Sequence, residues 1–112
     1  MRKGVLLEQT FNLKSPTADK DFENFTKQLG ALMKKHKIDK YVALRREKSE
    51  DIIEIIVLPC NSNKGGEAQL QSQLAQLQAQ GFEAATMSNA NDLKNYGQSN
   101  IEPVAIQFKF GK

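Results

Sequence analysis

The chain has 112 residues, 39% of them hydrophobic and 26% charged, with a formal net charge of +3 and a single cysteine. That length suits one core of ordinary domain size, so residues 1–112 are expected to form one domain. The longest wholly apolar run, Ile55 to Pro59, is far below the roughly 20 residues that span a bilayer, and Met1-Arg2-Lys3-Gly4 is not followed by the apolar core of a secretory signal. Cys60 cannot form an internal disulfide, so a cytoplasmic location is the expectation.

Val5 to Leu13 reads as the first strand, with Val5, Leu7, Phe11 and Leu13 on one side and Glu8, Thr10 and Asn12 among the residues on the other. Ser15-Pro16-Thr17 then opens a helix, with Ser15 or Thr17 as its cap. Phe22, Phe25, Leu29, Leu32, Met33 and His36 recur at spacings of three and four and form its core-facing stripe. Acids open this helix and lysines close it, in accord with the helix dipole, and Gly30 inside it suggests a close approach to the sheet.

Lys40 to Arg46 reads as a second strand, and Ile52-Ile53-Glu54-Ile55-Ile56-Val57-Leu58 as a third. The short polar connection between them predicts an antiparallel hairpin. The third strand is apolar on both faces, with Ile53, Ile55 and Val57 on one and Ile52, Ile56 and Leu58 on the other, so it belongs in the middle of a sheet. After a loop at 61–66 comes a second helix to about Gln80, with Leu70, Leu74 and Leu77 on its apolar face, glutamines over the remainder and Gly81 as its C-terminal glycine. Phe82 to Met87 is a short strand. Residues 88–102 form a long polar loop with a helical turn near Asp92–Tyr96, and Val104 to Phe110 alternates as a last strand.

This order predicts an α+β protein: a ferredoxin-like split βαββαβ antiparallel sheet with an additional C-terminal strand and two helices on one face. In that arrangement the first and third strands are central and the second lies at an edge, where Lys40, Arg45 and Arg46 would discourage further pairing. The other sheet face would be open. Ile52, Ile56 and Leu58 would then form an interface for a homodimer or another protein, or would be covered by the 88–102 loop.

Charge is polarised along the chain. Residues 27–48 carry eight basic side chains against Asp39 and Glu47, a local net of +6 that leaves −3 on the remainder. Lys34, Lys35, Lys37, Lys40, Arg45, Arg46 and Lys48 are therefore the candidate anion or nucleic-acid site, acting on phosphates. The bland alternative is a solvated helix end and edge strand. The third strand has no Phe or Tyr, so the stacking aromatics of RNA-recognition modules are missing there.

Chemistry is harder to place. Cys60 and His36 supply the residue types of a nucleophile and base, but nothing in their spacing brings them together, and one Cys with one His is too little for a structural zinc site. Asn61-Ser62-Asn63-Lys64-Gly65-Gly66 precedes a helix without matching the P-loop pattern. Glu8 and Glu54 are a candidate carboxylate pair on neighbouring strands. The expectation is a small, non-enzymatic binding or regulatory protein with no catalytic residue, metal or cofactor. It would be homodimeric and engage nucleic acid or another protein. The alternative is a small dimeric enzyme whose pocket holds polar groups such as Glu8, Glu54, Tyr41 or His36.

Overall fold

The computed structural model describes residues 4–60 and 66–98. The four described strands are β1 (Leu7–Asn12), β2 (Tyr41–Glu47), β3 (Ile52–Pro59) and β4 (Glu83–Met87). The helices are α1 (Ala18–Lys35), α2 (Gly66–Ala79) and a short α3 (Leu93–Gly97) entered through a 3-10 turn at Ala90–Asp92. All three strand pairings are antiparallel, and the sheet order is β1-β3-β2-β4. The protein is thus a mixed α+β fold. The last strand expected at 104–110 and the loop at 61–65 lie outside the described residues.

The ferredoxin-like arrangement expected for the sheet is corrected at two points. β2 is central rather than at an edge, since it pairs with β3 on one side and β4 on the other. Its residues Tyr41, Val42, Ala43 and Leu44 are all fully buried, which requires a neighbour on each edge and cover on each face. The helices also lie on opposite faces instead of one. The reason is chirality. β1 and β2 run parallel, as do β3 and β4, so α1 and α2 are both crossover connections. β1 and β3 point in opposite directions, yet both crossovers step the same way across the sheet. Right-handed crossovers, the strongly preferred hand, then put the two helices on opposite sides.

Two apolar layers result. On one face Phe11, Tyr41, Ala43, Ile53, Ile55 and Val57 meet Phe22, Phe25 and Leu29 of α1 and Leu93 and Tyr96 of α3. Phe11 stacks on Phe22 with centroids 4.1 Å apart and meets Phe25 edge-on at 5.3 Å, two favoured aromatic geometries. On the other face Val42, Leu44, Ile56 and Leu58 are covered by Leu70, Leu74 and Leu77 of α2 together with Phe82.

The open face expected for a partner is therefore closed by this chain. Ile56 and Leu58 are 0% exposed, and Ile52 is half-buried at the strand start. The segment expected as a loop at 88–102 folds, over its described part, on the α1 face rather than over these residues. Tyr41 and Tyr96 tie it down. The Tyr41 hydroxyl donates to the Asn89 carbonyl at 3.0 Å, and that of Tyr96 donates to the Glu83 carbonyl.

Helix ends follow local rules. Thr17 is the N-cap of α1, the later of the two candidates, and Ser15 accepts from the Thr17 amide at 3.2 Å. Both long helices close with the paired bonds of a Schellman motif. In α2, Phe82 N–H donates to Leu77 O and Gly81 N–H to Gln78 O, with Gly81 at φ +97°. In α1, Ile38 N–H donates to Met33 O and Lys37 N–H to Lys34 O, but the left-handed position is held by Lys37 at φ +56°.

Two glycines separate open space from close packing. A Cβ on Gly30 would meet nothing within 4 Å, so no close approach to the sheet explains it, and a Cβ on Gly97 would overlap the Phe22 ring. Gly30→Ala is expected to stabilise the fold by about 1 kcal/mol through helix propensity. Gly97→Ala is expected to destabilise it by about 2 kcal/mol through overpacking. Urea unfolding of the two variants measures both; equal midpoints would contradict the packing described.

Candidate functional site

The seven basic residues singled out by sequence do not form one patch. Lys34 and Lys35 end α1, Lys37 and Lys40 follow in the connection to β2, and all four are exposed. Arg45, Arg46 and Lys48 lie at the far end of β2. Eight residues of extended chain between Lys40 and Lys48 separate the groups by about 26 Å at strand rise. Antiparallel pairing fixes which parts share the first pole. Tyr41 pairs with Pro59 and Met87, and Leu7 with Val57, so the starts of β1 and β2 and the ends of β3 and β4 lie together there.

The two arginines at the other pole are engaged internally. Arg46 reaches the α2 face and donates to Glu54 Oε1 at 2.8 Å and to the Gln80 carbonyl at 3.3 Å, with its guanidinium 4.5 Å from the Phe82 ring centroid. Arg45, on the α1 face, is 8% exposed and pairs with Glu47 at 3.3 Å, while its Nε has no hydrogen-bond partner among the described residues. Arg46 and Glu54 are directly opposite in the β2–β3 register, which only strand pairing sets. Lys48 is exposed at the hairpin.

Among the described residues, ion pairs engage Lys14 with Asp51, Lys27 with Glu23 and Lys94 with Asp19, besides the two arginines. None engages Lys34, Lys35, Lys37 or Lys40. Four exposed ammonium groups within seven residues are therefore left facing solvent at one pole. Lys37 adds an independent feature, being the one non-glycine among the described residues with positive φ. A side chain there costs roughly 1–2 kcal/mol relative to ordinary backbone.

The carboxylate pair is present and is polar structure within a sheet face. Thr10 faces Glu54 and Glu8 faces Ile56, which places Glu8 diagonally beside Glu54 on the α2 side. Burial alone would raise the Glu54 pKa. Hydrogen bonds with Glu8 and Arg46, and the charges of Arg46 and Lys48, outweigh it and hold the carboxyl below its ordinary value. Tyr41 and His36 do not join this pair. Tyr41 lies on the opposite face, its hydroxyl bonded to Asn89 and its pKa raised by burial and by Asp92, and His36 is exposed at the end of α1.

Cys60 packs beside the α2-face cluster, and burial pushes its thiol up to about 11 against the opposing pull of Lys40. A thiol so placed stays protonated near neutral pH and is a poor nucleophile. Among the described residues no group of three or more His, Cys, Asp or Glu side chains could hold a metal ion, and no helix is long and apolar enough to cross a membrane.

Sequence reading missed a cleft of about 500 Å³ between α2 and the start of β1. Its walls are Gln69, Ser72, Gln73, Gln76 and Gln80, with Gly4 at its edge and Val5, Leu58 and Leu77 as its apolar part. Those glutamines recur at helical spacing beside the leucine stripe, a signal that was legible as periodicity but not as a concavity. No protein family, curated protein or solved structure matches the chain.

The Arg46–Glu54 pair yields a test. Arg46→Leu leaves a buried carboxylate without its cation and is expected to cost about 3 kcal/mol. Because the folded pKa of Glu54 is depressed, its contribution is full above the unfolded value of about 4.3 and is lost as pH falls through the folded pKa. Unfolding free energy followed from pH 7 into acid should fall less steeply in Glu54→Gln than in the natural chain; parallel curves would contradict the assignment.

Proposed function

We propose that this chain is a small, non-enzymatic binding protein that engages the phosphate backbone of nucleic acid through Lys34, Lys35, Lys37 and Lys40. The observation that carries this reading is the cluster of four exposed lysines, none of them ion-paired among the described residues, at the pole where α1 ends and β2 begins. A helix C-terminus accounts for cations in its last turn. It does not account for Lys37 at a backbone position that favours glycine, or for Lys40 beyond the helix. Backbone strain retained at a surface cation is an outlier of the kind that accompanies binding sites.

Arg45 and Arg46, part of the basic set read from sequence, are excluded from this surface by their internal partners. The residues that would serve catalysis give the reading further support. Cys60 is held protonated, both described tyrosines donate to main-chain carbonyls, and the glutamates sit on the other face from Tyr41.

Binding through four phosphates releases condensed counterions, so affinity for duplex DNA should fall with salt at a log–log slope of about −3 to −4. Lys34→Glu combined with Lys37→Glu should weaken binding by at least about tenfold at low salt. Lys48→Glu, at the opposite pole, should change it little. Fluorescence anisotropy at several salt concentrations makes the measurement. Equal loss from both poles, or no binding to any DNA or RNA at low salt, would overturn the proposal.

A further inference from the structure

One end of the amide-lined cleft lies at the same pole of the sheet as the lysines, on the α2 face, whereas Lys34 and Lys35 end α1 on the opposite face. Lys40 accepts the Cys60 amide at 3.1 Å, Val42 pairs with Leu58, and Leu58 lines the cleft. The cleft therefore begins at Leu58, two residues along the chain from the Cys60 whose amide Lys40 accepts, and runs along α2 to Gln80, whose carbonyl accepts from Arg46 at the other pole. Its volume of about 500 Å³ lies within the range of small-molecule sites. Its polar walls are four carboxamides and one hydroxyl, and among the described residues no ionisable side chain lines it. These walls both donate and accept hydrogen bonds, and none of them carries a charge with which to hold a phosphate.

A glutamine side chain presents its carbonyl and amino groups in one plane, matching the N6 and N7 edge of adenine in a two-point contact. Bases become available for such contacts when they are unpaired and splayed from the stack. Val5 supplies an apolar surface for the face of the ring, with the mostly buried Leu77 beside it. We infer that the cleft lined by Gln69, Ser72, Gln73, Gln76 and Gln80 receives an unpaired adenine-type base of a single-stranded nucleic acid whose phosphates lie on Lys34, Lys35, Lys37 and Lys40. The inference rests on the lysine-pole reading and adds to it the form of nucleic acid and the base.

Substitutions in the cleft can be made without disturbing the core, since Ser72 and Gln76 are exposed on α2 while Leu70, Leu74 and Leu77 hold it to the sheet. The test compares a short single-stranded oligo(dA), the matching dA·dT duplex and inorganic polyphosphate, all with the full chain at one salt concentration. The oligo(dA) should bind roughly tenfold tighter than either other probe, the scale of one good two-point base contact. Gln76→Leu, and independently Ser72→Phe to fill the cleft, should remove that advantage and leave polyphosphate binding and the salt slope unchanged. Circular dichroism confirms that each variant is folded. Equal affinity for all three probes, or an oligo(dA) advantage that survives both substitutions, would overturn the cleft assignment while the lysine pole stands. Failure of all three probes to bind at low salt would remove the lysine pole and this inference with it.

Discussion

The constraint on which this structure depends is that two adjacent strands, β2 and β3, are apolar on both faces. Tyr41, Val42, Ala43 and Leu44 lie beside Ile55, Ile56, Val57 and Leu58, and every one of them is fully buried. Such a pair cannot border solvent on either side without exposing several large side chains, each worth roughly 1.5–3 kcal/mol of burial. Three consequences follow together: the pair sits at the centre of the sheet, each face has its own helix, and each edge has a flanking strand. The α1 layer is aromatic, organised by Phe11 between Phe22 and Phe25, whereas the α2 layer is leucine-rich.

The same arrangement sorts the charged residues by role. Arg46 and Glu54 face each other across the central pair on the side covered by α2, where a cation over Phe82 and a carboxylate held ionised form one polar inclusion. Arg45, one residue earlier, points to the opposite face and is more deeply buried than Arg46. Adjacent positions on a strand thus give two strong cations carboxylate partners within the protein. Among the described residues, Lys34, Lys35, Lys37 and Lys40 at the other end have no ion-pair partner and form one solvent-facing cluster. That division bears on function more than net charge does, because only accessible cations can neutralise a phosphate.

Much of this was legible in the chain itself. The alternation of β1, the three-and-four spacing of Phe22, Phe25 and Leu29, the hairpin and the Gly81 helix stop are local patterns, and local sterics and hydrogen bonding enforce them. The burial of β3 was equally plain from its isoleucines. β2, by contrast, reads as an edge strand from the arginines that follow its buried run Tyr41–Leu44. They misled because an arginine can be neutralised inside a fold by a cross-strand glutamate that sequence distance hides.

What the sequence determined by itself is the set of elements, their apolar faces and the concentration of positive charge between residues 27 and 48. Tertiary structure alone decided on which edge β4 pairs, and through the handedness of the crossovers that choice placed α2 over Ile56 and Leu58. It also decided that a basic segment continuous in sequence is divided in space, with Lys34, Lys35, Lys37 and Lys40 at one pole and Arg45, Arg46 and Lys48 about a strand's length away. The physical reason is the same in each case. Periodicity specifies what a residue must bury, but only strand pairing specifies what it is buried against.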